Sequence, residues 1–242
     1  MGVQIEHIPH KVYSNTFLHR VILKINYQAD LDVKYDHFKT FFREVYNLEL
    51  DEEKYNLLKY SSLRLSGEDD AIILKFSKGF IQLKIEKQAY ESFHESLVPF
   101  IKDIHILLKK IDAHLTRISI QKINMWAWEA NNADEPLIAM KQILNPVLTD
   151  NWPSDGEGKS TSISTTMTPT ETPELKVVLA FGYVGKENEN SYSRIVLDTE
   201  GLCEDMLKLE NTDMVDLAEQ INDNLFDVYH WAVKKEIIDK MN

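Results

Sequence analysis

A single cysteine, Cys203, stands in a chain of 242 residues, so no internal disulfide can form and a reducing compartment such as the cytoplasm is the expected setting. Glycine and proline are scarce, with 8 and 7 residues, which excludes collagen-like and low-complexity classes. Positive charge is in deficit: 27 Lys and Arg face 39 Asp and Glu, a formal net charge of -12. Duplex DNA, which binds through clustered cations, is therefore not an expected partner. No stretch runs to roughly eighteen uncharged apolar residues, and residues 1–11 hold no apolar block, so neither membrane insertion nor a secretory leader is expected. What remains is 43% apolar residues in a chain long enough to bury a core without metal or disulfide.

Catalytic and cofactor motifs are missing as well. There is no GxGxxG and no GxSxG, and Gly158-Lys159-Ser160 copies only the tail of a phosphate loop, without a strand-to-helix junction around it. Cys203 lies in Gly201-Leu202-Cys203-Glu204-Asp205, where two acids disfavour a reactive thiolate. His94 and His105 share a helix face but stand about 16 Å apart along it, too far to share a metal. His7 and His10 have no Cys or carboxylate at a ligand spacing and read as surface histidines. The acids Asp51-Glu52-Glu53 and Glu68-Asp69-Asp70 sit beside turns and read as solvated charge. No cofactor, metal or catalytic residue is assigned.

Periodicity sets the organisation. Phe17 to Tyr27 alternates as a half-buried strand, and Val33 to Tyr46 follows with helical spacing. Ala71–Phe76 and Phe80–Glu86 flank Ser77-Lys78-Gly79 as a hairpin. Phe93, Leu97, Ile101, Ile104, Leu108 and Ile111 mark an amphipathic helix that Pro99 is expected to kink. From Leu115 to Glu129 a strand changes phase, with Ile118 and Ile120 on one face and Ile123, Met125 and Ala127 on the other, so a β-bulge near Gln121-Lys122 is expected. Residues 136–144 form a short helix; residues 153–174, mostly Ser, Thr, Pro, Gly and acid, read as a disordered loop between 1–152 and 175–242. Leu175 to Tyr183 alternates, Arg194–Asp198 returns beside it, and Met214 to Trp231 makes a long terminal helix. The expectation is α+β: antiparallel sheet from repeated hairpin-plus-helix units, amphipathic helices packed on it, and one domain over 1–242.

Trp126, Trp128 and Glu129 end the central strand, with Asn131 and Asn132 next, and these five are the candidate partner-binding residues. If Ile123, Met125 and Ala127 face the core, both tryptophans face away from it, either under the helix at 136–144 or in an exposed groove.

Three segments also resemble a known pattern. Gly79-Phe80-Ile81-Gln82-Leu83, then Tyr90-Glu91-Ser92-Phe93, then Thr116-Arg117-Ile118-Ser119-Ile120-Gln121-Lys122-Ile123-Asn124 are similar to the ordered motifs of a sporadically distributed family of uncharacterised (conserved hypothetical) bacterial proteins of about this length. Val196-Leu197-Asp198-Thr199-Glu200 and the ending around Lys235–Asn242 resemble its C-terminal part, while Ser119, Gln121 and Lys122 replace the Gly, Arg and Tyr of the pattern. The resemblance implies no activity; its patchy distribution suggests mobile or defence-associated genes. The reading that follows is a non-enzymatic protein-interaction module, an accessory, sensor or immunity protein with a partner of basic charge, homo-oligomerisation being left open. A metal-dependent hydrolase or nuclease whose carboxylates converge only in the fold is the first alternative, and a small-molecule binder between helix and sheet is the second.

Overall fold

Burial alternates from Val21 to Tyr27 along strand β1 (Leu18–Gln28), with Val21, Leu23, Ile25 and Tyr27 inside, as the apolar spacing requires. The computed structural model describes residues 5–11, 13, 16–29, 35–47, 61–64, 71–77, 79–128, 135–150, 162–167, 175–184 and 193–241. The architecture is α+β, and the chain forms two compact units, one of Arg20–Ile120 and Leu202–Asn222, the other of Met1–His19, Gln121–Gly201 and Asp223–Asn242. Each unit takes chain from both sides of residues 153–174.

In the first unit, helix α1 (Tyr35–Tyr46) follows β1, then come strands β2 (Ser61–Arg64), β3 (Ile72–Ser77) and β4 (Phe80–Glu86). β2 pairs antiparallel with β3, β3 with β4, and β4 with β1. Gly79 closes the β3–β4 turn at φ 80°, and its carbonyl accepts the Tyr27 amide at 3.0 Å. Phe38 and Phe42 of α1 are fully buried and sit 5.0 and 5.1 Å from the Phe76 ring of β3. Val45, expected on the same stripe, is 48% exposed: the buried face of α1 is the narrow row Phe38 and Phe42.

A π-helical turn, Phe93–Leu97, leads into helix α2 (Val98–Lys110). Ser92 caps it, its hydroxyl accepting the Glu95 amide at 3.1 Å. Pro99 falls in the first turn of α2, directly after the π-helical turn, so the amide it lacks is missing where one helical hydrogen-bond pattern gives way to the other. Phe93, Leu97, Ile101, Ile104, Leu108 and Ile111 are all buried, so the expected stripe is the packed face. Strand β5 (His114–Trp128) begins in this unit and carries the short strand β9 (Leu207–Lys208) antiparallel on its start.

In the second unit the strand order runs β5, β8 (Ser193–Cys203), β7 (Leu175–Val184), β6 (Ser162–Met167). β6 lies inside the segment expected to be a disordered loop and pairs antiparallel with β7 from Ser162↔Gly182 to Met167↔Val177. Its Thr and Ile content is strand-forming, which the polar low-complexity reading undervalued; the rest of 153–174 lies outside the described residues. Leu175, Val177, Leu179, Phe181 and Tyr183 of β7 are buried as their alternation predicts, and β8 extends past the expected Asp198 to Cys203.

Helices α3 (Glu135–Ile143) and α4 (Pro146–Thr149) form a pair around Asn145, whose Oδ1 accepts the Val147 amide at 3.1 Å while its Nδ2 donates to the Trp231 carbonyl at 2.9 Å. Helix α5 (Met214–Ala232) passes from the first unit into the second and is followed by α6 (Lys235–Ile238). The bridge Leu144↔Val233 and the Lys234 amide to the Ile143 carbonyl, at 2.8 Å, tie the α3–α4 pair to this end of the chain.

The expected phase change in β5 is not found. Ile118, Ile120, Asn124 and Trp126 are buried, whereas Ile123 and Met125 are half-buried and Ala127 is exposed. No switch to the odd-numbered face occurs past Ile120, where Asn124 and Trp126 are buried and Lys122 is half-buried; the expected change came from reading the two polar residues Lys122 and Asn124 as outward.

Candidate functional site

Asp223, Phe226, Asp227 and His230 recur along α5 at steps of three and four and therefore share a face in the second unit. His7, Ile8, His10 and Tyr13 contact that face. The His7 ring donates from Nδ1 to Asp227 Oδ2 at 3.0 Å, and the Ile8 amide donates to Oδ1 of the same carboxylate at 2.8 Å. His10 Nε2 stands 2.9 Å from Asp223 Oδ1, and its ring stacks on Phe226 at 4.4 Å. Tyr13 completes the row, its hydroxyl bonded to His230 Nε2 at 2.8 Å. Asp227 is 8% exposed, so this carboxylate has given up most of its water for two protein donors.

Lys122 reaches the cluster from β5. Burial lowers its ammonium to about 8, with Asp223 opposing the shift. Burial also lowers the affinity of His10 for a proton; Asp223 and Asp227 pull upward, while Lys122 and His7 push further down. His230 is lowered for the same first reason, with Asp227 and His10 acting in opposite directions. Tyr13 is raised by burial and by the charge of Asp239. The arrangement joins three imidazoles, two carboxylates, an amine and a phenol. Among the described residues no group of three or more His, Cys, Asp or Glu is placed to hold a metal ion.

A second feature lies in the first unit. Glu204, Asp205, Glu210, Asp213 and Asp216 are exposed, and Met206 among them is 66% exposed. Asp213 also caps α5, its Oδ1 accepting the Val215 amide at 2.7 Å. Glu204 pairs with Arg117 at 3.2 Å, and Cys203 is buried, its thiol 3.9 Å from Asp205 Oδ2. A concavity of about 200 Å³ is lined in this unit by Lys109, Asp112, His114, Lys208 and Glu210 among others.

Of the five candidate partner-binding residues, Trp126 is buried at 5% exposure against Phe17. Trp128 ends β5, and its side chain lies outside the described residues, as do Glu129, Asn131 and Asn132. The acid clusters at 51–53 and 68–70 and the triplet Gly158-Lys159-Ser160 also lie outside them. The histidine cluster escaped the sequence reading because His7 and Asp227 are 220 positions apart. One local signal was available: Asp223, Asp227 and His230 form a polar row on a helix otherwise patterned for burial.

No protein-family model matches the chain, and no curated protein matches it in sequence. Among solved structures, that of a rolling circle replication initiator protein from Geobacillus stearothermophilus is similar at 9% identity and a TM-score of 0.24, over 86% of this chain and 78% of that one, a likeness too slight to carry an argument about fold or function. No helix among the described residues is long and apolar enough to cross a membrane.

Proposed function

We propose that the protein is a non-enzymatic interaction module, an accessory, sensor or immunity protein acting in the cytoplasm, and that its partner is a basic protein. The observation that carries this reading is the acidic run from Glu204 to Asp216, in which five carboxylates and the thioether of Met206 are exposed. An excess of exposed carboxylates, with Lys208 the one cation of the run, in the same stretch as a flexible apolar side chain suits a cationic surface: the acids steer the encounter, and Met206 supplies adaptable contact. The net charge of -12 supports the same choice of partner.

The test is titration of the full chain with a Lys- and Arg-rich probe peptide at low and moderate salt. Binding should weaken as salt rises, and the variant Glu204→Gln, Asp205→Asn, Glu210→Gln, Met206→Ser should lose about tenfold in affinity. Neutralising Asp36, Glu44 and Glu91, which are exposed elsewhere in the first unit, should cost far less. Equal losses in the two variants would sink the assignment of this surface. Metal-dependent phosphoester turnover by the purified chain would replace the interaction reading with an enzymatic one.

A further inference from the structure

We propose that β6 is a docking edge for a second copy of this chain, the two β6 strands pairing antiparallel about a two-fold axis at Thr165. β6 is the last strand of its unit, and among the described residues β7 is its one neighbour, so the amides and carbonyls along its other side form an open row. The contact belongs to the second unit and is independent of the acidic run in the first.

Edge strands are ordinarily guarded against other chains by charge, proline, a bulge or shortness. β2, which ends the strand order in the first unit, follows that rule with four residues and a terminal Arg64. β6 has none of these guards. Its six residues, Ser162-Ile163-Ser164-Thr165-Thr166-Met167, include no charge and no proline, and they pair with β7 one to one without a bulge. Residues 160–170 hold no Asp, Glu, Lys or Arg, and this run of eleven is the longest such run in a chain of net charge -12. Two such chains repel each other as wholes, and this is the window in which they meet without facing like charge.

The strand also matches itself. Along an open edge every second residue turns its N–H and C=O outward, and antiparallel partners must both be residues of that kind or both of the other. A two-fold pairing of identical strands therefore sets one residue opposite its own copy. Centring it on Thr165 sets Thr165 opposite Thr165, Ser164 opposite Thr166 and Ile163 opposite Met167, so apolar residues oppose each other and hydroxyl residues do the same. Ladder partners share a face: Ile163, Thr165 and Met167 are in register with Phe181, Leu179 and Val177, the buried row of β7, and the pairing prolongs that face from one copy into the other. A basic peptide would find no carboxylate on this strand, which makes the occupant a second copy and not the cationic partner of the acidic run.

Sedimentation equilibrium of the full chain tests this. Five paired residues make a small interface, so a monomer–dimer equilibrium within about 5–500 µM is expected, and monomer alone over that range would overturn the proposal. Salt should strengthen the dimer by screening the repulsion between two acidic chains; a dimer weakened by salt would mark a charge-driven contact and overturn it as well. Ser164 and Thr166 are in register with Ala180 and Val178, off the buried row of β7, so the fold should tolerate changes there. The variant Ser164→Lys, Thr166→Lys sets lysine opposite lysine and should weaken association by about tenfold or more, as should Ser164→Glu, Thr166→Glu, whereas the two variants mixed should form a heterodimer. Undiminished association of either variant alone, or no heterodimer from the mixture, would refute the pairing. Hydrogen exchange of the unaltered chain needs no variant: on concentration, alternate amides of β6 should gain protection and those of β2 should not. Protection in β6 that is already complete in dilute solution would show an edge covered by its own chain, and equal gains at β2 would deny β6 any special part; either result would overturn the proposal.

Discussion

Trp126 packs its ring 5.2 Å from that of Phe17 at a 35° tilt, with its indole Nε1 buried and, among the described residues, bonded to nothing. The backbone brings the two together, the Met125 amide donating to the Phe17 carbonyl at 2.9 Å. An indole used for recognition keeps its N–H accessible, whereas this one is sealed without a partner. Trp126→Ala should accordingly cost about 3–5 kcal/mol in denaturant melts, the range for emptying a large aromatic site. Trp126→Phe should cost less than about 2 kcal/mol, because removing an unsatisfied buried donor offsets part of the lost packing. A Phe variant as unstable as the Ala variant would show that the indole N–H is bonded after all.

Gly79 offers a sharper local test. At φ 80° an added Cβ is strained by conformation, and it would meet the Tyr27 carbonyl oxygen at 3.1 Å, backbone that cannot swing aside. Gly79→Ala should destabilise the fold by about 1–2 kcal/mol, measured as a shift in urea midpoint at unchanged slope. A neutral result would mean that the hairpin relaxes into another turn type.

Elements with strict periodicity were the legible ones. The alternation of β1 from Val21 to Tyr27, that of β7 and the stripe from Phe93 to Ile111 are buried residue for residue, because packing against one face leaves no freedom of phase, while Phe17 and His19 at the start of the first strand are half-buried. The centre of β5 was not legible: Lys122 and Asn124 hold inward positions that hydropathy assigns to the surface, and only their surroundings show why. The cluster at the candidate site was invisible for a related reason. Its contacts join His7, Ile8, His10 and Tyr13 to residues 223–230, and no periodicity links His10 to Asp223 or Tyr13 to His230. The acidic run from Glu204 to Asp216 could be read as charge, but the exposure of Met206 within it could not.

Lys122 carries a pH signature of its own. With its ammonium lowered to about 8 by burial, the folded chain binds this proton less tightly than the unfolded one. Between about pH 8 and the ordinary lysine value near 10.5 the unfolded state holds more protons, so this group makes stability rise with pH. At pH 7 the buried charge is a cost, and Lys122→Met should raise stability by about 1–3 kcal/mol. That advantage should narrow by pH 9.5, a limit chosen to stay below tyrosine ionisation. Denaturant melts of both proteins at pH 7 and 9.5 decide it: a constant difference would mean that Lys122 keeps an ordinary proton affinity.

Excision of Asp155–Thr172 tests what β6 contributes. A purely polar loop would be dispensable, since closure entropy varies only with the logarithm of length. Here the deletion also removes six paired positions, from Ser162↔Gly182 to Met167↔Val177, and leaves the β7 edge without its neighbour. The two effects oppose each other: ladder hydrogen bonds are lost at about 1 kcal/mol net apiece, while the entropy of ordering the six residues is recovered. A net loss of about 1–3 kcal/mol is expected, together with aggregation on concentration as the bared edge recruits strands from other molecules. Deleting only Asp155–Ser160, short of the strand and without an apolar residue, should cost less than about 1 kcal/mol and leave the chain monodisperse. Denaturant melts and light scattering on the two deletions separate the cases. Equal, negligible losses would mean that β6 contributes nothing to the sheet, whereas a large loss from the short deletion alone would place the packing in residues 155–160.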